Sequence, residues 1–469
     1  MRVAASTRPG TFLALADVQR ILYLAVPAML ALLTQTAINL VDTYFIGKLP
    51  EPERSDGQAM LSFSLILLWS VGGFLSAISV GTQATVGRRE GQSHPHDSGA
   101  VLANAVVLAA VAGGVATLIC YPLIPWIFQL KSSDPDYVQI GTAYSQWRFV
   151  GLMSMVITAA YKAFYDGTGR TYVHFWAAVG MNVVNALLCW LLIFGNAGFP
   201  RMGAEGAGLA AAISSWVGAI AMALFSLRRI DRDKYHPYRR GVLSLSMMKH
   251  LAKLSIPSGV ATTVVMTGFL LFIGIVQIFD DAAAQQGVRE AVFGAATTII
   301  INVLSLTFFS CMAFGVATAT LVSQSLGAGD ADAAERYAWS SVKIAVMVFA
   351  LLGLHEIAFP RFWIAVFNES PAVIRAGENS MRLMGATGPL IAAGMILTQA
   401  LFGAGNPRFV MKVELMLHFG VLLPVAYLCG VILHGGLLGV WSAAAVYAVL
   451  LTSIMAWKFR SGTWKTIVI

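Results

Sequence analysis

Twelve apolar segments of bilayer-spanning length constrain this chain more than any other feature. They lie near 21–46, 60–84, 100–128, 142–165, 173–195 and 204–227, then near 253–279, 293–321, 338–367, 380–403, 410–433 and 435–457. A hydrocarbon core about 30 Å thick takes about 20 apolar residues to cross as a helix. Lipid offers no partner to a backbone amide, so the helix must satisfy its own N–H and C=O groups. The composition agrees: 57% of residues are hydrophobic and 12% charged, with a mean hydropathy of +0.73. Soluble domains carry about 25% charge, which excludes an ordinary soluble enzyme. Forty-four glycines also suit membrane helices, which reward close backbone approach.

The net charge of +8 belongs to loops, not to nucleic-acid binding. With the N-terminus inside, inner segments and their flanks hold 22 of the 31 Lys and Arg residues. Eight of them fall in 228–253: Arg228, Arg229, Arg232, Lys234, Arg239, Arg240, Lys249 and Lys253. Outer loops hold seven, namely Lys48, Arg54, Lys131, Arg201, Arg289, Arg361 and Arg375. The positive-inside rule then places both termini in the cytoplasm of a multi-pass protein of the cell's inner (plasma) membrane. Met1 to Asp17 contains no long apolar run, so no cleavable signal peptide is expected and the first span serves as insertion signal. Cys120, Cys189, Cys311 and Cys429 lie in apolar stretches without CxxC spacing and read as small hydrophobes.

The chain also repeats itself. Gly167-Thr-Gly169 matches Gly403-Ala-Gly405 at an offset of 236, as Thr82 and Gly91 match Thr318 and Gly327. Arg148-Phe-Val-Gly151 matches Arg382-Leu-Met-Gly385 at 234. Gly206 with Ala210–Ala212 matches Gly439 with Ala443–Ala445 at 233, and Pro27 matches Pro257 at 230. Six spans per repeat is an even number, so both halves enter from one side and are parallel repeats about an axis along the membrane normal. The expected fold is all-α, with twelve transmembrane helices in two six-helix lobes. The N-terminal lobe is 1–227, a basic cytoplasmic linker 228–252 and the C-terminal lobe 253–469.

Polar groups at membrane depth are functional hypotheses by default. In span one, Gln35, Asn39 and Asp42 share one helical face among apolar neighbours, which points to a cavity. Desolvation of such a carboxyl favours its neutral form, so it can exchange protons near neutral pH. Asn182, Asn185 and Cys189 form a similar face in span five, where amide oxygens could coordinate Na⁺ or hydrogen-bond a substrate; helix cementing explains them as well. His355-Glu356 interrupts span nine and could join a proton path. Glu414 and His418 are an i,i+4 pair in span eleven, placed by sequence near the cytoplasmic end as a solvated salt bridge. Span seven has Phe272 where the Pro27/Pro257 register would place Asp42, so acid-driven coupling belongs to the N-terminal half.

Enzyme signatures are missing: no HExxH, no GxSxG and no P-loop. His94-Pro-His96 with Asp97 is too poor a ligand set for a metal, and no metal or cofactor is expected. An ion gradient is then the energy source.

Leu24-Ala-Val-Pro27 through Val41-Asp42-Thr43 to Gly47 resembles the first span of the multidrug and toxic compound extrusion (MATE) family. So do Gly81-Thr-Gln-Ala84 through Arg88, its counterpart Ala317–Thr320 through Asp330, the Asp166-Gly-Thr-Gly169-Arg170 turn, and Asn182-Val-Val-Asn185 through Gly195 to Gly203–Gly206. The resemblance implies a two-lobe antiporter that expels organic cations or amphipathic xenobiotics in exchange for H⁺ or Na⁺. It gives Asp42 and Asn185 a coupling-ion role, with Asn182 beside them, and a substrate cavity at Gln35, Asn39, Asp42 and Cys189. Many members carry aspartate where this chain has Cys189, and acids in spans seven and ten that are missing here. One carboxylate in place of two favours H⁺ over Na⁺. The expected partners are an amphipathic or cationic small molecule and the bilayer, with no nucleic acid, for a monomer. The alternative is a lipid-linked oligosaccharide flippase of the same superfamily, which needs a cationic cavity; Arg148 and Arg382, both toward the outer side, are the candidates for one.

Overall fold

The computed structural model describes residues 14–50, 53–285 and 291–469, and every regular element among them is helical. Eleven helices among the described residues are long and apolar enough to cross a membrane. The twelfth sequence span is present but broken. Gly151 divides it into Pro135–Val150 and Leu152–Gly167, each 16 residues long. The break falls where the chain is hemmed in, because a Cβ on Gly151 would sit 3.1 Å from the Ala212 backbone. Span nine ends earlier than its apolar run, at Ala358, because Pro360 starts a separate short helix, Pro360–Ala365.

Large apolar side chains point outward along the spans. Leu118 is 76% exposed, Leu351 71%, and Trp126 and Trp176 about as open as Leu354. A water-soluble protein could not carry this belt, whereas in a bilayer it is the solvated surface.

By packing the chain forms two units that interleave in sequence. One comprises Pro27–Met266, Gly405–Lys412 and Val468–Ile469; the other comprises Met1–Val26 (described from 14), Thr267–Ala404 and Val413–Ile467. Residues 253–266, in the second half by sequence, therefore pack with the first, and the helices Leu15–Ile46 and Leu245–Gln285 are each shared.

In the unit that begins at Pro27, Phe128 is fully buried and meets Phe63 edge-on at 5.2 Å and Tyr137 at 5.9 Å. Helix Leu152–Gly167 turns off at Gly169, with φ of 77°, and its repeat counterpart Gly405 has φ of 84°. Both need the left-handed backbone that glycine adopts without penalty. The sequence linker is not free along its length. Helix Arg229–Tyr235 buries Tyr235 edge-to-face on Phe164 at 5.1 Å, and Asp231 pairs with Arg170. Burial pushes the Tyr235 phenol up from its ordinary value, opposed by Lys234 and Arg170. Asn104 then pins the following strand of chain, donating to the Val242 carbonyl and accepting from the Ser244 amide at 2.7 Å.

In the other unit, Asp17 pairs with Arg336 at 3.1 Å, tying the start of the first helix to helix Ala331–Ala358. That helix runs closely beside Pro371–Gly403, where Gly353 meets the Gly385 carbonyl. A Cβ at 353 would overlap that oxygen. Gly353→Leu is expected to destabilise the protein by roughly 1–3 kcal/mol, read as a lower melting temperature in detergent. Span eleven is irregular: π-helical turns at His418–Leu422 and Leu428–Ile432 flank Leu423–Tyr427, which contains Pro424.

Candidate functional site

The first-span helix ends at Ile46, and Asp42 lies one turn before that end, 1% exposed. Two other helices bring polar groups to it. Tyr144 and Arg148 are four residues apart on Pro135–Val150, so they share a face. Asn185 and Cys189 are likewise four apart on helix Tyr172–Phe194.

The carboxylate is engaged at both oxygens. Cys189 Sγ–H donates to Oδ1 at 3.5 Å and the Tyr144 hydroxyl donates to Oδ2 at 3.4 Å. Arg148 Nη1 is 3.7 Å from Oδ2, with its side chain 11% exposed. The guanidinium also lies over the Tyr144 ring, 5.9 Å from its centroid. Asn185 is fully buried beside this group, and neither amide atom reaches a partner with hydrogen-bond geometry among the described residues. Burying a carboxylate without a countercharge is strongly unfavourable; here Arg148 supplies the countercharge. The unit thus holds an electrically neutral ion pair, a thiol, a phenol and a buried amide.

Of the residues singled out by sequence, Asp42, Asn185 and Cys189 come together. Asn182 does not join them: it is half-buried, and its Nδ2 donates to the Ala178 carbonyl of its own helix at 2.8 Å. The side chains of Gln35 and Asn39 lie outside the described residues. Cys189 is no inert hydrophobe, since its thiol faces the carboxylate. Arg148 is not a spare cation at the outer side but the partner of Asp42. Sequence reasoning passed over Tyr144 altogether and missed the role of Arg148. An arginine inside an apolar segment must find a carboxylate, and that requirement could have paired it with Asp42.

The corresponding place in the second half is filled differently. Phe272 is 1% exposed and packs edge-to-face on Trp441 at 5.2 Å. Arg382, the repeat partner of Arg148, bonds Glu378 of its own helix at 2.7 Å, and Arg361 reaches the same carboxylate at 2.8 Å. His355 and Glu356 diverge: His355 is exposed and accepts from Trp363 Nε1 at 3.0 Å, while Glu356 is buried against Gly385. Glu414 is 6% exposed, not a solvated residue, and is bonded to Tyr447.

Comparison with known proteins places the chain in a family. Residues 27–191 and 291–428, well over half of the chain, match the family described as MatE. A protein described as probable multidrug resistance protein NorM, from Thermotoga maritima, is 26% identical over 460 residues, covering 95% of this chain and 93% of the relative. Multidrug resistance protein NorM of Burkholderia vietnamiensis is 28% identical over 450 residues, covering 94% and 93%. Among solved structures, a MOP-superfamily transporter from Pyrococcus furiosus, described as having a binding pocket of reverse polarity, aligns with a TM-score of 0.84 at 17% identity over 96% of this chain and 97% of that one. A MATE protein in a bent conformation aligns at 0.83 with 18% identity, covering 95% of each chain. These structures share the two-lobe helical fold. With the family match spanning both halves of the repeat, the chain belongs to the multidrug and toxic compound extrusion (MATE) family of membrane transporters.

Proposed function

We propose that the protein is a secondary antiporter exporting organic cations or amphipathic xenobiotics in exchange for H⁺, by alternating access of its two lobes. The observation that carries this reading is the buried Asp42 carboxylate, held by Arg148, Tyr144 and Cys189. Three cations can neutralise that carboxylate: the resident guanidinium, a proton and a substrate. Occupancy by one weakens the others, which is the mutual exclusion an antiporter needs. Because Arg148 covers the carboxylate when the other two are gone, the unloaded lobe carries no bare charge through the membrane.

The chemistry around Asp42 supports H⁺ over Na⁺. A sodium ion needs several oxygen acceptors, yet Tyr144, Cys189 and Arg148 all present donors. Asn185, with its buried amide oxygen, is the second acceptor on offer, and Asn182 spends its amide nitrogen on its own helix. Gln35, Asn39, Asp42 and Cys189 line the substrate path in this reading. The lobes are 1–227 and 253–469, joined by 228–252, in a monomer of the inner membrane with both termini cytoplasmic.

A lipid-linked oligosaccharide flippase is the second reading, and Arg148 is the one feature in its favour. Its charge is already matched by Asp42, leaving little to hold a pyrophosphate. Proteoliposome uptake of a fluorescent lipophilic cation separates the alternatives. An imposed pH gradient is expected to drive uptake and a Na⁺ gradient is not. Uptake driven by Na⁺ alone would overturn the proton assignment, and none under either gradient would favour the flippase.

A further inference from the structure

Glu414, His418 and Tyr447 form a second buried titratable group, entirely within the unit containing Thr267–Ala404 and Val413–Ile467. His418 is 1% exposed and Glu414 6%. The Tyr447 hydroxyl donates to Glu414 Oε2 at 2.8 Å. His418 Nδ1 lies 3.3 Å from the same oxygen and 3.0 Å from the Glu414 carbonyl, and the imidazole stands edge-to-face on the Tyr447 ring at 4.8 Å. Helix Leu245–Gln285 brings Gly268 against the imidazole, a contact without a titratable group. Among the described residues, His418 is the ion-pair partner of Glu414, and neither Lys nor Arg joins them.

Depth matters as much as burial. His418 is eleven residues beyond Pro407, and Tyr447 eleven beyond Gly436. At 1.5 Å per residue each is ~16 Å from its helix start, near the middle of a core about 30 Å thick. With His418 neutral and Glu414 ionised, the three groups carry one uncompensated negative charge at that depth. One added proton makes them neutral. The Asp42–Arg148 pair, in contrast, is neutral without a proton.

The repeat adds an independent argument. At the offset of 236, His418 corresponds to Asn182 and Glu414 to Ala178. Asn182 bonds the Ala178 carbonyl, and His418 the Glu414 carbonyl, in the same i to i−4 manner. The second half has thus put ionisable side chains on the face that is amide and methyl in the first. The π-helical turn begins at His418 itself, an irregularity common at functional positions.

We propose that Glu414, His418 and Tyr447 are a proton-binding site in the C-terminal lobe, separate from Asp42, that carries a second coupling proton. The role in coupling rests on the antiport reading above; the binding of the proton does not. With Nδ1–H held by Glu414, the proton adds to His418 Nε2, giving an imidazolium–carboxylate pair with Glu414, and leaves to water from Nε2.

The test is pH-difference infrared spectroscopy of the protein in lipid nanodiscs, without substrate or gradient. The wild-type spectrum is expected to contain one imidazole protonation step beyond those of the exposed histidines, seen as the difference between wild type and His418→Asn. That imidazole step should be absent from His418→Asn, be displaced in pH in Glu414→Gln, which lacks the anion, and persist in Asp42→Asn. Asparagine at 418 reproduces the bond that Asn182 makes, which favours a folded variant. Identical imidazole signals in wild type and His418→Asn would overturn the site. Failure of a gradient to drive transport while the step is intact would instead overturn the antiport reading.

Discussion

Replacing Asp42 by Asn is expected to lower proton-driven export about 100-fold, equivalent to about 2.7 kcal/mol of lost coupling. The size follows from what the carboxylate does. Among the described residues it is the anion facing Arg148, Tyr144 and Cys189, so in the antiport reading its loss removes the group for which proton and substrate compete. Asparagine keeps the volume and can still accept from Tyr144, but it leaves the Arg148 guanidinium without its countercharge, so rates are compared only for protein whose melting temperature shows it folded. Initial rates of fluorescent-cation uptake into proteoliposomes under a pH gradient check this, with reconstituted protein quantified for both variants. Retention of more than about half the wild-type rate would remove Asp42 from the coupling step.

The second large effect is on stability. Arg148→Met leaves the Asp42 carboxylate buried without its countercharge, and breaking such a pair from one side typically costs about 3–5 kcal/mol. The loss should be greatest at high pH and should shrink as pH falls, because protonating the carboxyl removes the uncompensated charge. Asp42→Asn combined with Arg148→Met should recover much of the loss, since no charge is left unpaired. Melting temperatures of the two single variants and the double, measured at several pH values in one detergent, form a double-mutant cycle. A pH-independent loss that the double variant fails to relieve would mean that Arg148 acts through packing alone.

The helices were legible because continuous apolarity at this length has one physical solution in lipid. Span four was legible as one span but not as two helices. Its break depends on how closely Gly151 approaches Ala212, a tertiary contact with no local periodicity. Asp42, Asn185 and Cys189 could be read from helical spacing on their own segments. Tyr144 and Arg148 could not, because they meet Asp42 across 102 and 106 positions of sequence, and packing chooses the face that turns inward. Asn182 fits the same spacing, yet its amide is satisfied by its own backbone. Glu414 shows the opposite error: distance from a helix end suggested solvent, whereas Tyr447 and His418 enclose it.

In the antiport reading, the resident Arg148–Asp42 pair also sets how the transporter should respond to membrane voltage. With one proton traded for one monovalent cation, nothing net crosses, and the electrical potential neither helps nor hinders the cycle. A second proton carried by the His418 cluster makes each turnover move one positive charge inward. Every 100 mV of potential, negative inside, then adds about 2.3 kcal/mol to the driving force, and export continues after the pH difference itself has run down.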